Sequence, residues 1–319
     1  MSGSKPDVIK MKRDCFQRLI RYMTQGIDMS AALVPATKCV ALSRTDVPLK
    51  KMLYLYLRTS ARRNGSVALL VVQTLLNDCK DVDATIRGAA LRSMCSLRVP
   101  ELEEAVLAAI SAGLGDPHPY VREAAVLGVL KMWEQSPGGV RTHGFADAVR
   151  SLLGTDADPQ VVANCLVVLE GLGALRGPIS RALVVPLLNH IRAFSDWAQC
   201  QVLELVLRYE PDTAQERYDV LEVLDFALGS PNSAVFLAAA RLFLRYTQGD
   251  AEQHRRVLSR LLDPLLTLVQ SRQAEVVWAV LCNVLVLARR GKADGEGPTP
   301  AQLALSPLLP ALRPRVEDP

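Results

Sequence analysis

The chain has 319 residues, half of them apolar, 22% charged and 5% aromatic, and 37 Lys and Arg against 33 Asp and Glu leave a formal net charge of +4. That length supplies a full core, and the weak, dispersed charge lacks the dense basic stripe that nucleic-acid binding demands, which excludes nucleic acid as a partner. Leu, Val and Ala supply the apolar share far more than aromatics, Ile or Thr, which favours helix over strand.

The first 14 residues, MSGSKPDVIKMKRD, are too charged to hold the apolar core of a signal peptide. The helix they enter is markedly basic, with Lys10, Lys12, Arg13, Arg18 and Arg21, and a second set follows at Lys50, Lys51, Arg58, Arg62 and Arg63. Such sets are either solvated helix faces or contacts for anionic lipid head groups or an acidic partner subunit. The first five are the candidate anionic-membrane contacts.

From Leu49 onward the chain repeats. Apolar residues that open successive helical stretches stand at Leu49, Ile86, Val121, Val161, Trp197, Val235 and Val276, so the steps are 37, 35, 40, 36, 38 and 41 residues. A small side chain follows three places later at Ala89, Ala124, Asn164, Cys200, Ala238 and Ala279, which lets neighbouring helices approach closely. Second helical stretches lie between, near 65–79, 102–114, 145–153, 179–194, 217–228 and 256–269. Asp116-Pro117, Asp158-Pro159, Gly177-Pro178 and Gly229-Ser230-Pro231 mark the breaks. A helix pair of this size cannot bury its apolar face alone, so the period predicts an all-α chain, an α-solenoid of HEAT or armadillo type. Trp197, standing at a phase position, is expected to be largely buried. The longest nearly apolar run, Val276–Ala288, is short of the roughly 20 residues a membrane span needs.

Residues 1–290 therefore read as a helical-repeat trunk. Residues 291–319, rich in Pro and Gly, read as a disordered tail. Seven cysteines at 15, 39, 79, 95, 165, 200 and 282 contain no CxxC pair and read as reduced thiols of a cytosolic protein. His118, His143, His190 and His254 fall in four different repeats without a carboxylate or Cys at ligand spacing, so no metal site is expected. HExxH, GxSxG and GxxxxGK[ST] motifs are absent. The expectation is a non-enzymatic protein with no catalytic residues and no cofactor, working as a binding surface.

Several strings then resemble one family. RYMTQGIDMS (Arg21–Ser30), KKMLYLYL (Lys50–Leu57), LLNDCKDVDATIRGAALRSMCSLRVPE (Leu75–Glu101), DPHPYVREAAVLGVLKM (Asp116–Met132), DPQVVANCLVVLE (Asp158–Glu170) and SDWAQCQVLELVLRY (Ser195–Tyr209) are similar to the trunk of the β-adaptins. RYMTQG and LRSMCSLR look most like the form found in adaptor protein complex 4. The resemblance covers roughly Cys15 to Arg290 and stops there, so the chain is expected to be an N-terminal trunk portion without the hinge and appendage of the family.

The resemblance implies a subunit of a vesicle coat that pairs with a second large chain and with medium and small chains. It implies recruitment by an Arf-type small GTPase to the trans-Golgi network, peripheral contact with the membrane, and sorting of membrane-protein cargo. By position in the family, SVALLVVQTLL (Ser66–Leu76) is the helix that meets the GTPase, with Leu69 and Val72 as the matching apolar contacts. The competing expectation is a free-standing helical-repeat scaffold, such as a transport receptor, that binds another class of protein.

Overall fold

A computed structural model describes residues 5–41, 46–61, 65–290 and residue 310. The expected disordered tail, 291–319, lies outside the described residues apart from Pro310, as do Arg62 and Arg63. Among the described residues sixteen α-helices follow one another: α1 (Lys5–Thr24), α2 (Leu33–Ala41), α3 (Val47–Ala61), α4 (Gly65–Asp78), α5 (Ala84–Met94), α6 (Glu103–Leu114), α7 (Pro119–Gln135), α8 (Pro137–Thr142), α9 (Phe145–Thr155), α10 (Pro159–Gly171), α11 (Arg181–Asn189), α12 (Asp196–Val206), α13 (Ala214–Leu224), α14 (Ser233–Tyr246), α15 (Ala251–Val269) and α16 (Ala274–Arg290). The described residues include no strand. The chain divides into two compact units, Met1–Arg176 and Gly177–Pro319.

Each unit is a helical-repeat stack, the α-solenoid that the period predicts. In the first, α1, α3, α5, α7 and α10 pack in succession, while α4 and α6 flank them and α9 braces α10. In the second, α12, α14 and α16 form the succession, with α13 and α15 against α14. The central helices are enclosed on most sides, so burial runs without a break: Val235 to Ala240 in α14 are all apolar and buried, as are Val161 to Leu166 in α10 apart from the polar but also buried Asn164. Gly128 of α7 shows how tight the stack is, since a Cβ there would stand 2.8 Å from the Cys95 sulfur. Ala89, Ala124, Asn164 and Ala238 are buried as close approach requires, and Cys200 and Ala279 are half-buried.

Capping side chains set the phase of these helices. Asp83, His118, Asp158, Ser195 and Asn232 each accept a backbone N–H of the first turn, and Asp46 accepts the Leu49 amide in the same way. The residue three after the cap then points inward: Leu49, Ile86, Val121, Val161, Ala198 and Val235 are all nearly inaccessible. Ser195 is the cap of α12, so Ala198 takes the buried position and Trp197, one residue earlier, stands 49% exposed. The expected burial of Trp197 is thus corrected. In α16 the buried position is likewise Val277 rather than Val276. Helix α15 begins at Ala251, ahead of the expected 256, because Asp250 caps it through the Glu252 and Gln253 amides.

A ladder of ion pairs joins successive repeats of the first unit. Arg87 grips both carboxylate oxygens of Asp116 at 2.9 Å, and Arg122 grips those of Asp156 at 2.6 and 2.9 Å. Each guanidinium also donates to two carbonyls of its own inter-helix turn, Asp81 and Val82 for Arg87, Asp116 and Pro117 for Arg122. The acceptor aspartates in turn take the amides of His118 and Asp158, so every rung locks two turns at once. In the preceding repeat Lys50 has the same role, reaching Asp81 at 3.2 Å and Asp78 at 2.8 Å.

Candidate functional site

The two basic sets separate into fasteners and free groups. On α1, Phe16 and Leu19 face the core, while Lys12 donates to the Cys39 carbonyl at 2.9 Å and Arg13 clamps Asp46 through two bonds of 3.0 Å. Burial pushes the Asp46 carboxyl up, but Arg13 and the Leu49 amide outweigh it and hold it below the usual carboxylate range. Lys10, Arg18 and Arg21 are exposed. Of the five candidate membrane contacts, two therefore anchor α1 to α2 and to the start of α3, and three face solvent.

In the second set Lys50 is only 4% exposed and spends its charge on Asp78 and Asp81, with the Tyr54 hydroxyl donating to Asp78 at 2.7 Å. Lys51 and Arg58 remain exposed on α3. The GTPase candidates lie on α4. Val72 is buried, 5% exposed, one turn before the buried Leu75, so its side chain packs inward; the side chain of Leu69 lies outside the described residues.

Other chemistry is sparse. Among the described residues no group of three or more His, Cys, Asp or Glu stands close enough to hold a metal ion. His118 caps α7 by accepting the Tyr120 amide, and His143 stacks on Phe145. Burial pushes the Cys95 and Cys165 thiols up to about 12, so both stay protonated and unreactive at neutral pH. All seven cysteines are free, Cys15 on the surface. No helix among the described residues is long and apolar enough to cross a membrane. What the molecule offers is surface on stacked helices.

Comparison with known proteins bears on that surface. Residues 2–292 match the family model described as the adaptin N terminal region. This chain belongs to the adaptin N-terminal family. Over 303 residues it is 39% identical to beta-adaptin-like protein A of Arabidopsis thaliana, covering 91% of this chain and 36% of that protein. Over 274 residues it is 38% identical to the AP-4 complex subunit beta-1 of Mus musculus, covering 85% and 37%. The adaptin chain thus spans little more than a third of the length of these curated relatives. A homology model of the full-length AP-3 complex in an intermediate open conformation shares the fold, with a TM-score of 0.61 at 18% identity, over 97% of this chain and 52% of that one.

Sequence patterning in this adaptin gives no prominence to Arg92, Tyr120 and Lys131, which the stack brings beside Lys51 and Arg58 on neighbouring helices. A signal existed. Arg58 and Arg92 each stand in the last turn of a central helix, in successive repeats.

Proposed function

We propose that this chain is the trunk portion of an adaptor-complex β subunit, working without catalysis and without a cofactor to hold partner chains in a vesicle coat and to sort membrane-protein cargo. The observation that supports it is the adaptin match across residues 2–292, joined to relatives that are themselves named as subunits of adaptor complexes. Stacked helical repeats suit the task, since they offer long lateral surfaces to several partners at once. In this reading the partners are a second large chain, a medium chain and a small chain.

Recruitment belongs to the same proposal: an Arf-type GTPase on α4 and peripheral contact of Lys10, Arg18 and Arg21 with the cytosolic face of the trans-Golgi network. Each cation near an anionic surface contributes about 1 kcal/mol. Three of them supply a weak attraction that needs a protein partner beside it. On α4 the burial of Val72 leaves Leu69 as the candidate on which the GTPase contact turns.

Co-purification tests the proposal. The tagged full chain, expressed in cells and recovered under mild conditions, is expected to bring down a medium subunit of an adaptor complex, identified by mass spectrometry. Recovery of no adaptor subunit would sink it, and recovery of a different single partner would favour a free-standing scaffold.

A further inference from the structure

The exposed edges of α3, α5 and α7 enclose a groove lined by Lys51, Tyr54, Leu55, Arg58, Arg92 and Tyr120. Its cations are treated differently from those of the ladder. Arg87 and Arg122 each hold a carboxylate, and Lys50 holds two. Lys51 and Arg58 have no hydrogen-bond or ion-pair partner among the described residues, and Arg92 lies over the Tyr120 ring, 5.4 Å from its centre. Lys131 of α7 closes the cluster and donates to the Ser96 hydroxyl at 2.9 Å. Burial first, and then the positive charge of Arg92 and Arg58, holds its ammonium below the ordinary lysine value. Glu123 and Glu134 are near enough to act on Arg92 and Lys131, yet neither forms an ion pair with a groove cation. Like charges gathered with no ion-pair partner among the described residues repel one another, and an anionic ligand relieves that repulsion.

The groove also has an apolar floor. Leu55 is 38% exposed and the Tyr120 ring is half-buried beneath Arg92. Three stacked helices with axes about 8–10 Å apart span about 20 Å, which an extended chain crosses in about six residues. Alternate side chains of such a chain face the floor, and the others face the cations above it. A bilayer surface is flat and meets protruding groups alone, whereas here the half-buried Tyr120 and Lys131 lie beside the exposed Lys51, Arg58 and Arg92.

We propose that this groove docks an extended acidic peptide, with Glu or Asp side chains paired to Lys51, Arg58 and Arg92 and an apolar side chain lying against Leu55 and Tyr120. The groove's chemistry does not depend on the subunit role proposed above.

Fluorescence anisotropy on the full chain provides the test. The probe is a labelled peptide of about eight residues in which glutamate and leucine alternate, compared with the same peptide carrying glutamine for glutamate. The acidic peptide is expected to bind at least about tenfold more tightly than its glutamine counterpart, and less tightly as salt rises. Arg58→Glu with Arg92→Glu should weaken it by about tenfold or more, while Lys80→Glu, exposed in the turn after α4, should change it less than about twofold. Should the double reversal fail to fold by circular dichroism, Arg58→Gln with Arg92→Gln makes the same comparison. Equal losses at Lys80 and in the groove, or no binding of the acidic peptide, would overturn the proposal. So would Arg92-dependent capture of phosphatidylserine vesicles by a chain that ignores the peptide, which would give the groove to a membrane instead.

Discussion

At the head of α12 the Ser195 hydroxyl accepts the Ala198 amide at 3.4 Å, and that bond fixes the rotation of the helix about its axis. Ala198 turns inward, and the indole of Trp197 lies along the surface. A side chain so placed contributes little to folding. Trp197→Ala is expected to cost less than about 1 kcal/mol, as surface changes do, rather than the roughly 3–5 kcal/mol of a buried aromatic. Thermal melts of the two proteins check this, and a loss above about 2 kcal/mol would show the indole to be packed. On α4, Val72 and Leu75 share the inward stripe at a spacing of three residues. Apolar character in such a helix identifies a core face as readily as a docking face, and burial separates the two.

Among the elements, the inter-helix turns of the first unit carry the polar order. The Asp156 side chain is 2% exposed and Arg122 is 17% exposed, so the carboxylate has almost no water, and the guanidinium only a little, to replace a lost partner. Burial pushes the Asp156 carboxyl up, and Arg122 with the Asp158 amide brings it below the usual range. Asp156→Asn removes the charge but leaves the guanidinium enclosed, and should cost about 2–3 kcal/mol in chemical denaturation. Replacing both partners with apolar residues, Asp156→Leu and Arg122→Met, should cost less than the single change, because no buried charge is left alone. If the double variant is the less stable of the two, the rung stabilises through its carbonyl contacts rather than through the ion pair. The motif that builds a rung is short: an Asp two residues before the cap and a cation four residues after it, as in Asp81-Asp83-Arg87 and Asp116-His118-Arg122.

Over the whole molecule these carboxylates are unevenly shared. Asp46, Asp81, Asp116 and Asp156 in the first unit have lowered pKa values, against Glu216 and Asp225 in the second. A carboxyl whose folded pKa lies below its unfolded value of about 4 contributes its full stabilisation above that value and loses it as pH falls through the folded pKa. Glu123, pushed up chiefly by burial, works in the opposite sense and regains a little stability on protonation. Four losses and one small gain in the first unit, against two losses in the second, make the first unit the more acid-sensitive. Hydrogen exchange between about pH 4 and pH 2 should show residues 46–176 losing protection before residues 177–284. Simultaneous opening, or the second unit opening first, would mean that the ladder does not govern acid stability.

The helical class, the repeat and its period, the breaks at Asp-Pro and Gly-Pro, and the family were all legible in the chain, because caps, breakers and small residues act locally and recur at fixed intervals. Even the rungs were written there as Asp and Arg at constant distances from a cap. Other matters depended on packing between helices distant in sequence. Trp197 is not among them, since the Ser195 cap two residues before it turns it outward by a local bond. Lys50 and Lys51 are adjacent in sequence, yet one is enclosed by Asp78 and Asp81 and the other lines an open groove. Arg58, Arg92, Tyr120 and Lys131 come from three helices up to about 70 residues apart, and stacking at a helix-to-helix distance of about 10 Å is what makes them one surface. Charge along a chain is a property of sequence, whereas the sharing of one cleft by several charges is a property of the fold.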